Sequence, residues 1–245
     1  MVEQHHHTSA DDGPRWLDNE SEEPVRPPLT RRRVVEAALR LVDDHGLEAL
    51  SFRGLAVELE TSQMAAYNYV RNKDELLDLM LDVVLGEVDL SGGDGEDWVA
   101  QLRAMFRSYH RVLLAHPGLA KVYSERVKIG PNGLRAIDRI LGVLRDAGFR
   151  RAPAANAFYA LYNYTIGFAQ IGQVTSVEDG AAAKGSLNGR ETIRRFFSAL
   201  PVEEVPNVVA LAPYLTGAKV GRRFEYGLDL LLAALAAKQP VRSGG

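Results

Sequence analysis

Five side chains with hydrogen-bonding heads, Ser62, Gln63, Tyr67, Asn68 and Tyr69, fall within one short stretch of the chain. Hydroxyls, amides and phenols of this kind bond to phosphate oxygens and base edges without burying a formal charge. On a helix of residues 63–70, behind a tight turn at Glu60, Thr61 and Ser62, they suit the second helix of a helix-turn-helix. Such a helix enters a DNA major groove. The first helix of the motif braces the second, and only the second helix's first turn reaches the bases. Thr61, Ser62 and Gln63 begin that turn, and Gln63 carries the amide that pairs with adenine. Tyr67 and Tyr69 present hydroxyls to phosphates, and Lys73 adds a positive charge. Ser51 and Arg53 open the bracing helix. Arg31, Arg32 and Arg33 form a basic cluster just before it. Contacts of this sort set register more than sequence preference. Each residue also has a plain structural reading: Tyr67 as core, Ser51 as a helix cap, Gln63 as ordinary surface.

The elements that must hold these residues are helical. Thr30 is placed as an N-cap, and Val34, Ala38, Leu41, Val42 and His45 recur at helical spacing up to Gly46. Ser51 caps the bracing helix, whose inner face is Phe52, Leu55, Ala56 and Leu59. Lys73, Asp74 and Glu75 open a fourth helix reaching to about residue 88. Residues 91–95, Ser-Gly-Gly-Asp-Gly, break the chain, and the domain boundary is placed there. Beyond it the pattern predicts helices over 96–115, 119–129, 132–147, 154–177, 191–200, 208–215 and 222–238, with a mobile Gly- and Ala-rich loop at 178–190. No strand is required. The expectation is an all-α chain: an acidic disordered extension at 1–28, a three-helix helix-turn-helix domain at 29–90, and a larger helical ligand-binding and dimerisation domain at 91–245.

The 154–177 helix has two different faces. Ala157, Leu161, Tyr164, Phe168 and Ile171 follow a 4-3-4-3 spacing, and Phe224, Leu228, Leu231 and Leu235 repeat an apolar seam on the last helix. Two such helices from each of two subunits would build a four-helix dimer interface; monomer core is the alternative that spacing leaves open. The opposite side carries Asn156, Tyr159, Asn163, Gln170 and Gln173. Amides are costly to bury unpaired, so the row points to a polar-lined cavity. Met105, Phe106, Tyr109 and His110 supply a second wall, and Tyr123 and Arg126 a third. Aromatic walls with few polar groups suit a drug-sized, partly aromatic ligand. Satisfied core polar groups are the competing reading for each of these residues.

Composition narrows the classes further. A chain of 245 residues with 46% hydrophobic and 25% charged residues is ordinary for a globular protein. The absence of cysteine excludes disulfides, thiolate metal sites and cysteine nucleophiles. Net charge is −3, which does not announce a nucleic-acid partner. Residues 1–28, however, hold seven acidic residues against two basic, so the remainder is slightly positive. The three histidines at 5–7 read as part of a solvated tail rather than a metal site. Arg26 with Arg31, Arg32 and Arg33 could form an arm reaching the minor groove. The N-terminus has no apolar signal core, and the longest apolar run, eight residues at 230–237, falls well short of the roughly 20 a membrane helix needs. No membrane, metal or cofactor is expected, and a cytoplasmic location is. There is no Gly-x-Ser-x-Gly, His-Glu-x-x-His or phosphate-binding Gly loop, so no enzyme activity is expected either.

Residues 30–80 resemble the DNA-binding domain of the TetR family of bacterial one-component regulators. The resemblance rests on Thr30, 34–41, Gly46, 49–52, Leu55, Ala56, Leu59, Ser62, Met64 and a specific run, Tyr67-x-Tyr69-Val70-x-Asn72-Lys73-x-Glu75-Leu76. The later chain is similar in length and helix order to the family's ligand-binding domain, and the order resembles the subgroup regulating antibiotic export and biosynthesis. The resemblance implies a homodimeric repressor on a palindromic double-stranded DNA operator, released by a small-molecule effector that shifts an equilibrium between two dimer shapes. The alternatives are a helical small-molecule-binding dimer without DNA binding, or an unrecognised enzyme. Three positions depart from the pattern. Glu60 stands where the family usually has Gly, Gln63 where Pro or Gly is common, and Ala66 where Leu is usual.

Overall fold

The computed structural model describes residues 28–92, 97–119, 122, 129–181, 186–217 and 220–239, with backbone alone at 171–181, 186–190 and 220. The helices in chain order are α1 (Arg31–His45), α2 (Phe52–Glu58), α3 (Gln63–Tyr67), α4 (Lys73–Leu85), α5 (Trp98–Ala115), α6 (Pro131–Asp146), α7 (Arg151–Ala181), α8 (Ser186–Ser198), α9 (Pro206–Gly217) and α10 (Val220–Ala237). A 3-10 turn, Leu47–Ala49, follows α1. Among the described residues there is no strand, and the chain is all-α as expected.

Local chemistry fixes where the early helices begin. The Thr30 hydroxyl accepts the Arg33 amide at 3.2 Å, Ser51 that of Gly54 at 3.0 Å, and Ser62 that of Ala65 at 3.2 Å. The side chains of Asn72 and Asp97 do the same for Glu75 and Ala100, both at 2.8 Å. Each such cap satisfies an otherwise orphaned amide and stabilises its helix by about 0.5–2 kcal/mol. α1 stops at Gly46, whose φ of 80° is readily adopted only by glycine.

Packing then joins these helices around one contiguous core running from Val34 in α1 to Leu232 in α10. α4 contributes on both sides: Leu76, Leu77, Met80, Leu81, Val84 and Leu85 are buried, and the helix packs on α1, α5 and α6. α7 packs on α5, α6 and α10. α8 and α9 pack chiefly on each other, leaving Ile193, Phe196, Leu211 and Tyr214 between 48% and 75% exposed.

Several expected boundaries shift. The helix 63–70 ends at Tyr67, and Val70 beyond it is buried at 1% exposure. The expected loop at 178–190 is partly helical, since α7 runs to Ala181 and α8 starts at Ser186. Glycine weakens a helix without forbidding it, and alanine favours one. The expected helix at 119–129 falls mostly outside the described residues, as does the extension at 1–27 with Arg26 and the three histidines at 5–7.

Candidate functional site

The DNA-reading candidates lie at the surface or partly in it. Ser51, Arg53, Ser62, Gln63, Asn68 and Lys73 are exposed, and Thr61 and Tyr69 are half-buried. Tyr67 is 46% exposed and lies flat against Phe52, ring centroids 3.8 Å apart and planes 12° from parallel. The bracing helix thus positions the phenol of α3 by stacking. Ser51 and Ser62 spend hydroxyl lone pairs on their caps, so both are structural as well as exposed. The basic cluster is partly occupied: Arg31 pairs with Glu75, Arg32 Nε donates to Glu36 at 2.6 Å, and Arg33 donates to the Pro28 carbonyl at 3.1 Å. Sequence reasoning left out Met64, which is 72% exposed on α3. Exposure of a large apolar side chain beside Gln63 is the signal that marks it.

The turn holds the chain's one unusual backbone. Glu60 is the only non-glycine with positive φ among the described residues, at 50°. Its amide donates to the Val57 carbonyl at 3.0 Å, and the Thr61 amide to Ala56 at 2.9 Å. This pair of bonds is a Schellman cap, whose left-handed position favours glycine.

A second site lies behind α4. A cavity of about 240 Å³ is lined by Leu81, Asp82 and Leu85 of α4, Val88 and Leu90 beyond it, Met105 and Tyr109 of α5, Ile129 and Gly130, Gly133, Ala136, Ile137 and Ile140 of α6, and Phe158, Tyr159 and Tyr162 of α7. The aromatic side is a connected cluster: Tyr162 lies 5.4 Å from Phe158 and 6.1 Å from Tyr109 by ring centroid. Of the residues expected to line a ligand site, Met105, Tyr109 and Tyr159 do so. Phe106 and His110 are buried but face elsewhere; the His110 ring stacks on Phe224 at 3.8 Å. Asn156 and Asn163 are exposed on the outer side of α7. Neither is part of the cavity lining, although Tyr159 between them is. Gln170 is half-buried outside the lining, and Tyr123, Arg126 and the Gln173 side chain lie outside the described residues. Sequence reasoning missed the α4 and α6 walls. The available signal was Gly130-Pro131, a helix start with no side chain able to cap it.

That missing cap comes from α4. Asp82 Oδ1 accepts the Asn132 amide at 2.9 Å and the Gly133 amide at 3.1 Å, while Asn132 Nδ2 donates to the Asp82 carbonyl at 2.9 Å. A second link joins α5 to the DNA-reading helices. His116 Nδ1 lies 2.9 Å from Asp43 of α1, and Nε2 lies 3.1 Å from Glu87 just past α4. The two ring nitrogens thus bridge carboxylates of α1 and of the segment after α4. Burial raises the Asp43 carboxyl above its usual range, with His116 opposing it. Burial lowers His110, whose Nε2 has no hydrogen-bond partner among the described residues.

Three residues of the expected dimer seam are buried within the protomer. Leu161, Phe224 and Leu228 are 0–1% exposed, Leu231 and Leu235 are packed against the core, and Tyr164 and Phe168 meet Phe224 at 5.7 and 6.0 Å. The Tyr164 hydroxyl donates to the Phe224 carbonyl at 3.0 Å. A residue without exposed area has none to offer a partner, so Leu161, Phe224 and Leu228 serve the protomer's own core, while Tyr164, Phe168, Leu231 and Leu235 stay partly exposed. Ile171 has no described side chain. The outward faces of the same helices carry Tyr159, Tyr226 and Leu230, at 55–69% exposure.

Comparisons with known proteins agree with this architecture. Residues 34–80 match the profile "Bacterial regulatory proteins, tetR family", and residues 91–239 match "Tetracyclin repressor-like, C-terminal domain". An HTH-type transcriptional regulator of Saccharopolyspora erythraea is 37% identical over 175 residues, 71% of this chain and 74% of the relative. The HTH-type transcriptional repressor DrrR1 of Streptomyces coeruleorubidus is 40% identical over 147 residues, spanning 59% of this chain and 54% of that protein. Among solved structures, Streptomyces coelicolor ActR in complex with actinorhodin superposes with a TM-score of 0.77 at 37% identity, covering 88% of this chain and 100% of that one. Apo ActR gives 0.74 at 37% identity, with 86% and 96% coverage. With both halves matched, the chain belongs to the TetR family of bacterial transcriptional regulators, a helix-turn-helix head on a helical ligand-binding core.

Proposed function

We propose that the chain is a ligand-responsive repressor that binds a palindromic DNA operator as a homodimer in the cytoplasm and is released by a small, partly aromatic ligand. The observation that carries the reading is the shared helix: α4 packs on α1 of the head and lines the cavity with Leu81, Asp82 and Leu85. Ser51, Arg53, Thr61, Ser62, Gln63, Tyr67, Asn68, Tyr69 and Lys73 supply the DNA surface, with Met64 offering the kind of apolar contact that meets a thymine methyl. Arg31, Arg32 and Arg33 contribute to the extent that DNA draws them from their present partners. Residues 29–90 act as the head and 91–245 as the effector and dimer domain.

The dimer rests on outward faces. Tyr226 and Leu230 of α10, with the exposed apolar side chains of the α8–α9 hairpin, make the kind of surface a soluble monomer rarely leaves open. Two heads about 34–36 Å apart would reach successive major grooves. A cavity occupant with unequal affinity for the two shapes shifts their balance, and about 1–3 kcal/mol of coupling suffices. ActR's crystal complex with actinorhodin supports the aromatic ligand class.

Selection of bound fragments from a random DNA library tests the reading. An enriched palindrome with half-sites one helical turn apart, displaced by actinorhodin or a related aromatic, is the expected result. No enrichment at low salt would overturn it.

A further inference from the structure

α6 begins with no cap of its own. Gly130 has no side chain and Pro131 has no amide hydrogen, leaving the Asn132 and Gly133 amides as the orphaned donors of the first turn. One oxygen, Asp82 Oδ1, takes both. The surrounding residues are shaped to admit it. A Cβ at position 130 would lie 2.3 Å from Asp82 Cγ, and one at position 86 would lie 3.0 Å from Asn132 Nδ2. Asp82, Gly130 and Gly133 also line the cavity, so its wall contains the seam between the two helices.

We propose that Asp82 is the positioning residue through which the cavity's occupant is read by the DNA-binding head. The proposal rests on the effector reading above and adds the group that transmits it. Apolar contacts between α4 and α6 tolerate sliding, whereas two hydrogen bonds converging on one oxygen weaken steeply with displacement or misalignment. The cap therefore exists at one spacing of α4 and α6. An occupant between Asp82 on one side and Gly130 and Gly133 on the other changes that spacing and exchanges a capped α6 for an uncapped one. α4 carries the displacement to α1, on which it packs.

The test uses the full chain, a fluorescein-labelled duplex recovered from the selection, and anilinonaphthalene sulfonate as a fluorescent aromatic probe of the cavity. Dye emission reads occupancy, and anisotropy reads DNA affinity with and without saturating dye. Wild type should show a change of about 5–150-fold in DNA affinity, the usual range of such couplings. Asp82→Asn keeps an acceptor oxygen of the same reach and should retain that change. Asp82→Ala should lose it, read as the ratio of DNA affinities without dye and at dye saturation, so that a changed dye affinity of this cavity-lining position does not enter. Gly130→Ala, which drives the carboxylate off the amides by contact, should lose it too and gives a second route should Asp82→Ala fold poorly. A merely structural role would weaken all binding together and would not be rescued by Asn. An Asp82→Ala protein with the wild-type change overturns the proposal and leaves the effector reading standing. A wild type whose DNA affinity ignores the dye overturns the effector reading, and the proposal with it.

Discussion

Replacing Glu60 by Gly should both stabilise the protein and tighten its grip on DNA, for separable reasons. Glu60 occupies the left-handed position of the Schellman cap that ends α2, with φ of 50°. An L-residue there costs about 1–2 kcal/mol, which glycine avoids. Glycine returns part of the gain, about 0.5–1 kcal/mol, through its larger freedom in the unfolded chain. The net is about 0.5–1 kcal/mol, which for a chain of this size raises Tm by about 1–4 °C. Independently, the exposed carboxylate stands one residue before Thr61, beside the expected path of the DNA backbone. Its removal lifts a repulsion that is strongest at low salt. Glu60→Ala separates the two effects, because alanine keeps the backbone cost and loses the charge. Thermal scans should show a rise for Gly and none for Ala, while anisotropy titrations should show tighter DNA binding for both. A lower Tm for Glu60→Gly refutes the left-handed cap. Unchanged DNA affinity in both variants refutes the placement of this turn near phosphate.

Three further substitutions probe the same framework. His110 is buried with its Nε2 unpartnered, and burial holds its pKa below the unfolded value of roughly 6.5. As pH falls through that value the unfolded chain binds the proton first, so the contribution present above it is lost below it. His110→Phe should therefore show a smaller drop in urea midpoint between pH 7.5 and 5.5 than wild type, and should gain up to about 1–3 kcal/mol from losing an unsatisfied buried group; equal drops would sink the idea. Gly118→Ala places a Cβ 2.4 Å from Val42 Cγ1 at the end of α1, and should destabilise by about 1–3 kcal/mol through overpacking, read as a lower Tm. Phe52→Ala removes the ring on which Tyr67 lies and forfeits about 0.5–1.5 kcal/mol of stacking. DNA affinity should fall while dye binding in the cavity stays as it was, and loss of both would mean that Phe52 supports the whole fold.

The helix starts and the DNA-reading surface were legible because their determinants are local. Thr30, Ser51 and Ser62 lie within three residues of the amides they cap, and Gln63 is exposed in the first turn that Ser62 caps. The left-handed turn at Glu60 was legible too, through the glycine the family places there. The cavity was not, because its walls come from four helices whose relative rotation no single periodicity encodes. The amides of α7 form a regular row, yet regularity alone does not say which side of a helix is enclosed; packing put Phe158 and Tyr162 inside and Asn156 and Asn163 outside. The 4-3-4-3 seam has the same ambiguity. Leu161 and Phe224 have the spacing of a helix–helix contact, and the contact is made within one protomer.

The break in sequence at residues 91–95 suggests two bodies joined by slack chain, and the packing around its described edges argues otherwise. Val88 is 8% exposed, and Val88 and Leu90 line the cavity. The Asp89 amide donates to Ser108 on α5 at 2.9 Å, and Arg139 of α6 donates to the Leu90 carbonyl at 3.3 Å and to Gln101 of α5 at 3.3 Å. Asp43, Glu87 and His116 close a further link from α1 to the end of α5. Among the described residues, a displacement produced in the cavity thus meets packed side chains and hydrogen bonds on the way to α1. Because packed interfaces move between discrete arrangements instead of deforming smoothly, α1 to α4 would turn as one unit. A small change at the α4–α6 seam then reaches α3 through α1 and α2, which connect it to α4.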